Sequence, residues 1–264
     1  MAGMPNAPHT LPAMLWLWAG RAIYRGPSLR LDAHATAVDC LAVGIDAPFT
    51  LAADGIARSA RSALVPPRRV HRVVTDGDHM MFCYSDPGSP AARACRERMT
   101  RWDNEFGLRH AAEDALVTAS GSAHPDPGSL ADLAGTAPIP PLDVRIAAAL
   151  ADLDAHPAAT FPAARFAATA HLSESRFLHL FAAQTGTSFR RYRLWARMLA
   201  VGRAIAGGAN LTTASAEAGF ASPSHFSDAF RTLFGLSASD LLATGVQIVV
   251  LDGPEGIESG TRTC

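Results

Sequence analysis

Two stretches decide the reading of this chain. The first is Phe166-Ala167-Ala168-Thr169-Ala170-His171-Leu172-Ser173-Glu174-Ser175-Arg176-Phe177-Leu178-His179-Leu180-Phe181. The second is Ala214-Ser215-Ala216-Glu217-Ala218-Gly219-Phe220-Ala221-Ser222-Pro223-Ser224-His225-Phe226-Ser227-Asp228-Ala229-Phe230. Each reads as a short helix, a tight turn, a serine cap and a second helix. Ser173 and Ser222 stand where a hydroxyl satisfies the orphan amide donors of a helix start. Pro223 follows at the first helical position, where a missing N–H costs nothing. Gly219 falls where the turn wants a positive φ. With one extra residue allowed in the second turn, its counterpart in the first is His171. Phe177, Leu180 and Phe181 make one apolar stripe; Phe226, Phe230, Leu233 and Phe234 make another. The opposite faces carry Ser175, Arg176 and His179, then Ser224, Ser227, Asp228 and Arg231. A helix with an apolar back and a hydrogen-bonding front suits a major groove.

Working outward, a helix is expected over roughly Phe189 to Ala206, ended by Gly207-Gly208. At 1.5 Å per residue it spans about 27 Å, enough to set two reading helices in successive grooves about 34 Å apart. The helical pattern runs from Leu142 to Leu242. Beyond it, Val246 to Leu251 reads as an added strand or a segment packed on the helices.

These residues resemble the paired helix-turn-helix domain of the AraC/XylS family of bacterial transcription regulators. Phe181 to Gly186 and Tyr192 to Arg197 match the close of the first unit. Gly219-Phe220, Phe226, Phe230 and Phe234-Gly235 match the second. The likeness covers about 100 residues. The chain departs from the pattern at Ala238, where proline is usual, at Asp228, where arginine is common, and at Leu178, often polar. The resemblance implies base contacts from Ser175, Leu178 and His179, and from Pro223, Ser224, His225, Ser227 and Asp228. Asp228 would accept from a cytosine amine. Arg176, Arg190 and Arg231 would meet phosphate, which positions without reading.

Ahead of the helices, residues 14 to 85 alternate short apolar runs with the turn signals Arg25-Gly26-Pro27, Asp54-Gly55, Pro66-Pro67 and Asp76-Gly77. Met14 to Trp18 reads as a first buried strand. Residues 91 to 118 change to a helical period, through Met99, Trp102, Phe106 and Leu108. Leu31 to Pro87 resembles the small cupin-like sensor barrel common ahead of this DNA-binding domain, through His34, Val38 to Ile45, Pro66-Pro67, His71 and Asp86-Pro87. The metal-binding HxH pair of cupins is broken here, as His34-Ala35-Thr36. Two occupants are weighed. One is a metal ion held by His34, Cys40, His71 and Cys83, a set suited to zinc or copper(I). The other is an organic effector lined by His34, His71, Trp16, Trp18, Phe49, Phe82 and Tyr84.

The expected fold class is therefore α+β and multidomain. A cupin-like β-barrel for effector binding spans 1–90, and a helical dimerisation segment and linker spans 91–137. An all-α DNA-binding domain with two helix-turn-helix units spans 138–245, and a tail spans 246–264. The linker is marked by Ser120 to Gly128 and by Pro138, Pro140 and Pro141.

Composition agrees and excludes rivals. The chain has 264 residues, 48% hydrophobic and 18% charged, with net charge −1. A disordered polar chain and a strongly cationic coat for nucleic acid are both excluded. All 23 basic residues are arginine. The helical domain carries 9 arginines against 7 acids, while the preceding residues carry 13 against 14. No apolar run is long enough for a membrane span. No basic region precedes the first apolar patch, so a signal peptide is not expected. Four cysteines at 40, 83, 95 and 264 form no CxxC pair and read as free thiols of a reducing cytoplasm. GxSxG, Walker and GxGxxG motifs are missing.

The function expected is a DNA-binding transcription regulator, not an enzyme, with double-stranded DNA and a small-molecule effector or metal as partners. A homodimer is expected and a membrane is not. The alternatives are a cupin-type metal-dependent enzyme with a helical appendage, and a protein whose helical half docks another protein.

Overall fold

The computed structural model describes residues 11–251 apart from 19, 76, 86–88, 136–141 and 186. The Asp86-Pro87 and Pro138 to Pro141 breaks, the end of the tail and Cys264 lie outside the described residues. Eleven strands and ten helices are described. The strands are β1 (Met14–Trp18), β2 (Arg21–Pro27), β3 (Asp39–Gly44), β4 (Phe49–Ala53), β5 (Ile56–Ala60), β6 (Ser62–Val65), β7 (Arg72–Thr75) and β8 (His79–Ser85). Helix α1 (Pro90–Glu97), strands β9 (Met99–Asp103) and β10 (Phe106–His110), and helices α2 (Glu113–Ser120) and α3 (Pro127–Gly135) follow. Helices α4 (Val144–Ala155), α5 (Ala163–Thr169), α6 (Glu174–Thr185), α7 (Phe189–Ala206), α8 (Leu211–Glu217), α9 (Pro223–Phe234) and α10 (Ala238–Ala243) precede β11 (Gln247–Val250).

The strands form two sheets. One has eight strands in the order β11-β1-β2-β8-β3-β6-β10-β9; the other has three, β5-β4-β7. Neither closes on itself, so the expected barrel is realised as two open sheets packed face to face. Side-chain alternation sorts β8 between two cores. Met80, Phe82 and Tyr84 point to the inner core, shared with Phe49, Leu51 and Val73 of the small sheet. Met81 and Cys83 point outward, against Cys95, Leu116, Leu130 and Ala134 of α1, α2 and α3. The β4–β5 turn carries Asp54 at φ 53° and Gly55 at φ 73°, the paired positive angles that a two-residue hairpin demands.

The helical expectation for 91–118 needs correction. Only Pro90–Glu97 and the stretch from Glu113 onward are helical; residues 99–110 form a hairpin on the sheet edge. Asn104 makes its turn at φ 53° and Arg109 breaks any helix at φ 60°. The three helices of this segment cover the outer face of their own sheet. Arg25 ties that layer down. It is fully buried and donates to the carbonyls of Ser120 (2.8 Å), Pro12 (3.2 Å) and Ser122.

From α4 on the chain is helical, as the pattern predicts. Phe166, Phe177, Phe181, Phe189 and Tyr192 build a separate aromatic core for the first unit. The second unit has none of its own: Trp195, Leu199, Phe226 and Leu233 belong to the inner core of the sheets. The segment after α10 then returns to the sheet. β11 pairs in parallel with β1, Met14 opposite Gln247 and Leu17 opposite Val250. Among the described residues no helix is long and apolar enough to cross a membrane.

Candidate nucleic-acid interface

The two units are built as their sequences require. In the first, Ser173 Oγ accepts from the Arg176 amide at 3.3 Å, and the turn before it places His171 at φ 53°. In the second, Ser222 Oγ accepts from the His225 amide at 3.1 Å and Pro223 opens α9. Gly219 stands at φ 84°. A side chain on Gly219 would also run into the Ala158 backbone, 2.6 Å from its Cα. Aromatic rings in contact hold the second helix of each unit from behind. Phe177 lies between Phe166 and Phe181, at 6.1 and 5.9 Å. Phe226 lies between Phe220 and Phe230, at 5.2 and 5.7 Å.

Fixing the apolar backs leaves the fronts in solvent. Ser175, Arg176 and His179 of α6 are exposed and Leu178 is half-buried. Pro223, Ser224, His225, Ser227, Asp228 and Arg231 of α9 are all exposed, as is Arg190 at the start of α7. The structure thus presents the sequence-derived reading residues on two helix fronts joined by the 18-residue α7. His225 is partly engaged: its Nδ1 accepts from the Ala221 amide at 3.4 Å, which leaves Nε2–H to donate outward.

Behind its front, α9 is docked on the sheet domain. Asp32 N–H donates to Gly235 O at 2.8 Å, and Ala35 N–H to Thr232 O at 3.2 Å. Phe234 meets Tyr84 edge-on at 5.5 Å. A cavity of about 90 Å³ remains between the sheet and α7, α9 and α10, walled by Leu17, Tyr24, Phe82, Tyr84, Trp195 and Phe230 among others. Of the expected effector residues, Phe82 and Tyr84 line it. Trp16 and Trp18 do not: strand alternation turns them to the outer face. Phe49 belongs to the inner core and His34 and His71 stand to the side, so none of these three lines the cavity. Trp195, which the sequence reading passed over, also lines the cavity, and its indole N–H is buried without a partner among the described residues.

The four expected metal ligands do not converge. Cys40 lies in the inner core beside Tyr84, while Cys83 lies in the outer one. Burial pushes both thiols up, so they stay protonated. His34 and His71 do meet, ring centroids 4.3 Å apart, and each directs Nδ1 to a carbonyl, Asp32 O and Arg69 O, at 2.9 Å. Burial, then the charge of His34, holds His71 down to about 4. Among the described residues no group of three or more His, Cys, Asp or Glu side chains is placed to hold a metal.

Comparison with known proteins fits this geometry. Residues 166–244 match the family described as helix-turn-helix domain. The whole architecture is similar to ToxT from Vibrio cholerae. An apo structure of a ToxT variant superimposes with TM-score 0.53 at 11% identity, over 85% of this chain and 97% of that one. The structure of wild-type ToxT with an unsaturated fatty acid bound gives TM-score 0.51 at 11% identity, over 85% and 94%. No curated protein sequence matches the chain. The C-terminal region thus carries a helix-turn-helix domain, and the two-domain fold is similar to that of ToxT.

Proposed function

We propose that this chain is a sequence-specific DNA-binding transcription regulator, not an enzyme, whose sheet domain answers a small-molecule effector. One observation carries the reading: two serine-capped helices, each held from behind by buried phenylalanines, present their polar fronts to solvent at the two ends of one strut. Phosphate contacts from Arg176, Arg190 and Arg231 would set the register, and His179 and Asp228 would read bases.

The effector reading rests on the apolar cavity. Its walls come from both domains and are almost wholly apolar, which suits an oily ligand. At about 90 Å³ it is smaller than the roughly 300 Å³ of an ordinary ligand pocket. A ligand entering there must part α7 and α9 from the sheet, so its binding energy is linked to the placement of the second reading helix. Homodimerisation through the 91–137 segment is part of the same proposal, and sedimentation velocity of the full chain checks it.

DNA reading is tested by selecting bound sequences from a random duplex pool with the full chain. An enriched motif is expected, with affinity falling steeply as salt rises. His179→Ala and Asp228→Ala should each relax preference at one position, by about 1–3 kcal/mol per base. Equal weakening on every sequence would remove these two residues as readers. No enriched motif and no salt slope would remove the function.

A further inference from the structure

A second, larger cleft of about 750 Å³ opens between Pro67-Arg68 of the sheet domain, the first half of α7, and α9. Arg68, Arg190, Arg191, Arg193, Arg197 and His225 line it, and among the described residues no acidic side chain does. Like charges gathered without a counterion repel one another. Burial and the nearby Arg68 both push the Arg191 guanidinium down, and burial and Arg193 push Arg197 down.

The cluster is built, not fortuitous. Arg193 is pinned by the carbonyls of Ala159 (3.1 Å) and Phe161 (3.4 Å), and Arg197 by that of Pro157 (3.1 Å). Two buried polar atoms of lining residues have no partner among the described residues: Arg193 Nε and Thr187 Oγ1. Thr187 is itself 93% buried, at 7% exposure. The helix start between them is open too, because the Ser188 side chain makes no capping bond to α7. Unpaired amides at a helix start attract anions. Across the cleft Arg68 is held at φ 72°, an angle unfavourable for arginine, with its N–H on Thr36 O at 2.9 Å. The side chains of Arg68, Arg190 and Arg191 have no hydrogen bond or ion pair among the described residues.

We propose that this cleft binds a small polyanion, of the phosphate or carboxylate class, clamped between Arg68 of the sheet domain and the arginines of α7. A compact anion can enter a cleft walled by both domains and meet Arg68, Arg190 and Arg191 together. The ligand would touch sensor and reader at once. This site is separate from the apolar cavity. It shares Arg190 and His225 with the expected DNA contacts, so its test rests on Arg68 and Arg191, which those contacts do not use.

The test is calorimetric titration of the full chain with sodium pyrophosphate and, separately, sodium citrate, at constant ionic strength against a sodium chloride control. Saturable binding of at least one is expected, and the tighter of the two names the class. Arg68→Asn, chosen because asparagine tolerates the positive φ, and Arg191→Gln should each weaken it about tenfold or more. Unfolding curves confirm that both variants fold. Heat no larger than the chloride control overturns the proposal, and so does unchanged affinity in both variants. A third refuting result is no anion binding while Arg191→Gln weakens DNA binding on every sequence, which would assign the arginines to the DNA backbone.

Discussion

Replacing Gly235 by alanine, with Gly245→Ala as its reference, measures how firmly α9 is docked on the sheet domain. Both glycines are left-handed, at φ 74° and 73°. Alanine there costs about 1–2 kcal/mol for the backbone alone. Nothing lies within 4 Å of a Cβ built on Gly245, so its substitution carries that cost and no other. A Cβ on Gly235 would sit 2.6 Å from both Asp32 O and His34 Nδ1. Neither can step aside easily: one is backbone and the other is hydrogen-bonded to it at 2.9 Å. Relief requires the 32–36 loop to part from α9. That breaks the bonds from Asp32 N–H and Ala35 N–H, each worth about 0.5–1.5 kcal/mol net. Gly235→Ala should therefore cost about 1–3 kcal/mol more than Gly245→Ala in urea unfolding of the full chain. Equal losses, within about 0.5 kcal/mol, would mean that the docked contact contributes nothing.

Three further outcomes are expected. Phe226, 1% exposed between Phe220 and Phe230, should cost about 3–5 kcal/mol on truncation to alanine, and an unchanged melting temperature would show the buried face is misassigned. Arg25→Met strands the buried Ser120 carbonyl and releases those of the exposed Pro12 and Ser122, so a loss of about 1–3 kcal/mol is expected by denaturant unfolding, and a neutral result would refute the bonding. Stability should also respond to acid through two buried groups of opposite sign. His71, near 4 when folded, binds fewer protons than in the unfolded chain, so its contribution is full above about 6.5 and is lost as pH falls towards 4. This amounts to about 3 kcal/mol at most. Burial raises Asp39 to about 6 despite the Arg96 ion pair, so its protonated form favours the fold as pH falls from 6 towards 4. His71→Asn should unmask the Asp39 trend; parallel pH curves for the two proteins would refute the assignment.

The reading helices were legible because their signals are local. A serine, a proline and a positive-φ turn act on neighbouring residues, and the aromatic stripes follow from helical period alone. The hairpin at 99–110 was missed for an equally local reason. Met99, Trp102 and Phe106 are spaced three and four apart, which satisfies a helical period, and the left-handed Asn104 and Arg109 carry no glycine to announce them. The metal set failed at longer range. Strand parity linked His34 to Cys40, but which face Cys83 shares depends on register, and the register sets Cys40 opposite Tyr84. The cavity and the cleft were out of reach because each is walled by residues more than a hundred positions apart. The run Phe189-Arg190-Arg191-Tyr192-Arg193 was visible, but Arg68 opposite it was not.

The pairing of β11 with β1 has a consequence for biosynthesis. A free strand edge shows a row of unsatisfied N–H and C=O groups that invites foreign partners. The edge of β1 is complete only when Gln247 to Val250 emerge, roughly 230 residues later. At ribosomal rates of about 5–20 residues per second that interval is on the order of 10–50 s. Throughout it the nascent sheet carries an open edge, and the helical half has yet to be anchored at its far end. The zipper between first and last strands closes only after both reading helices have been made, so docking of reader on sensor is among the final events of maturation.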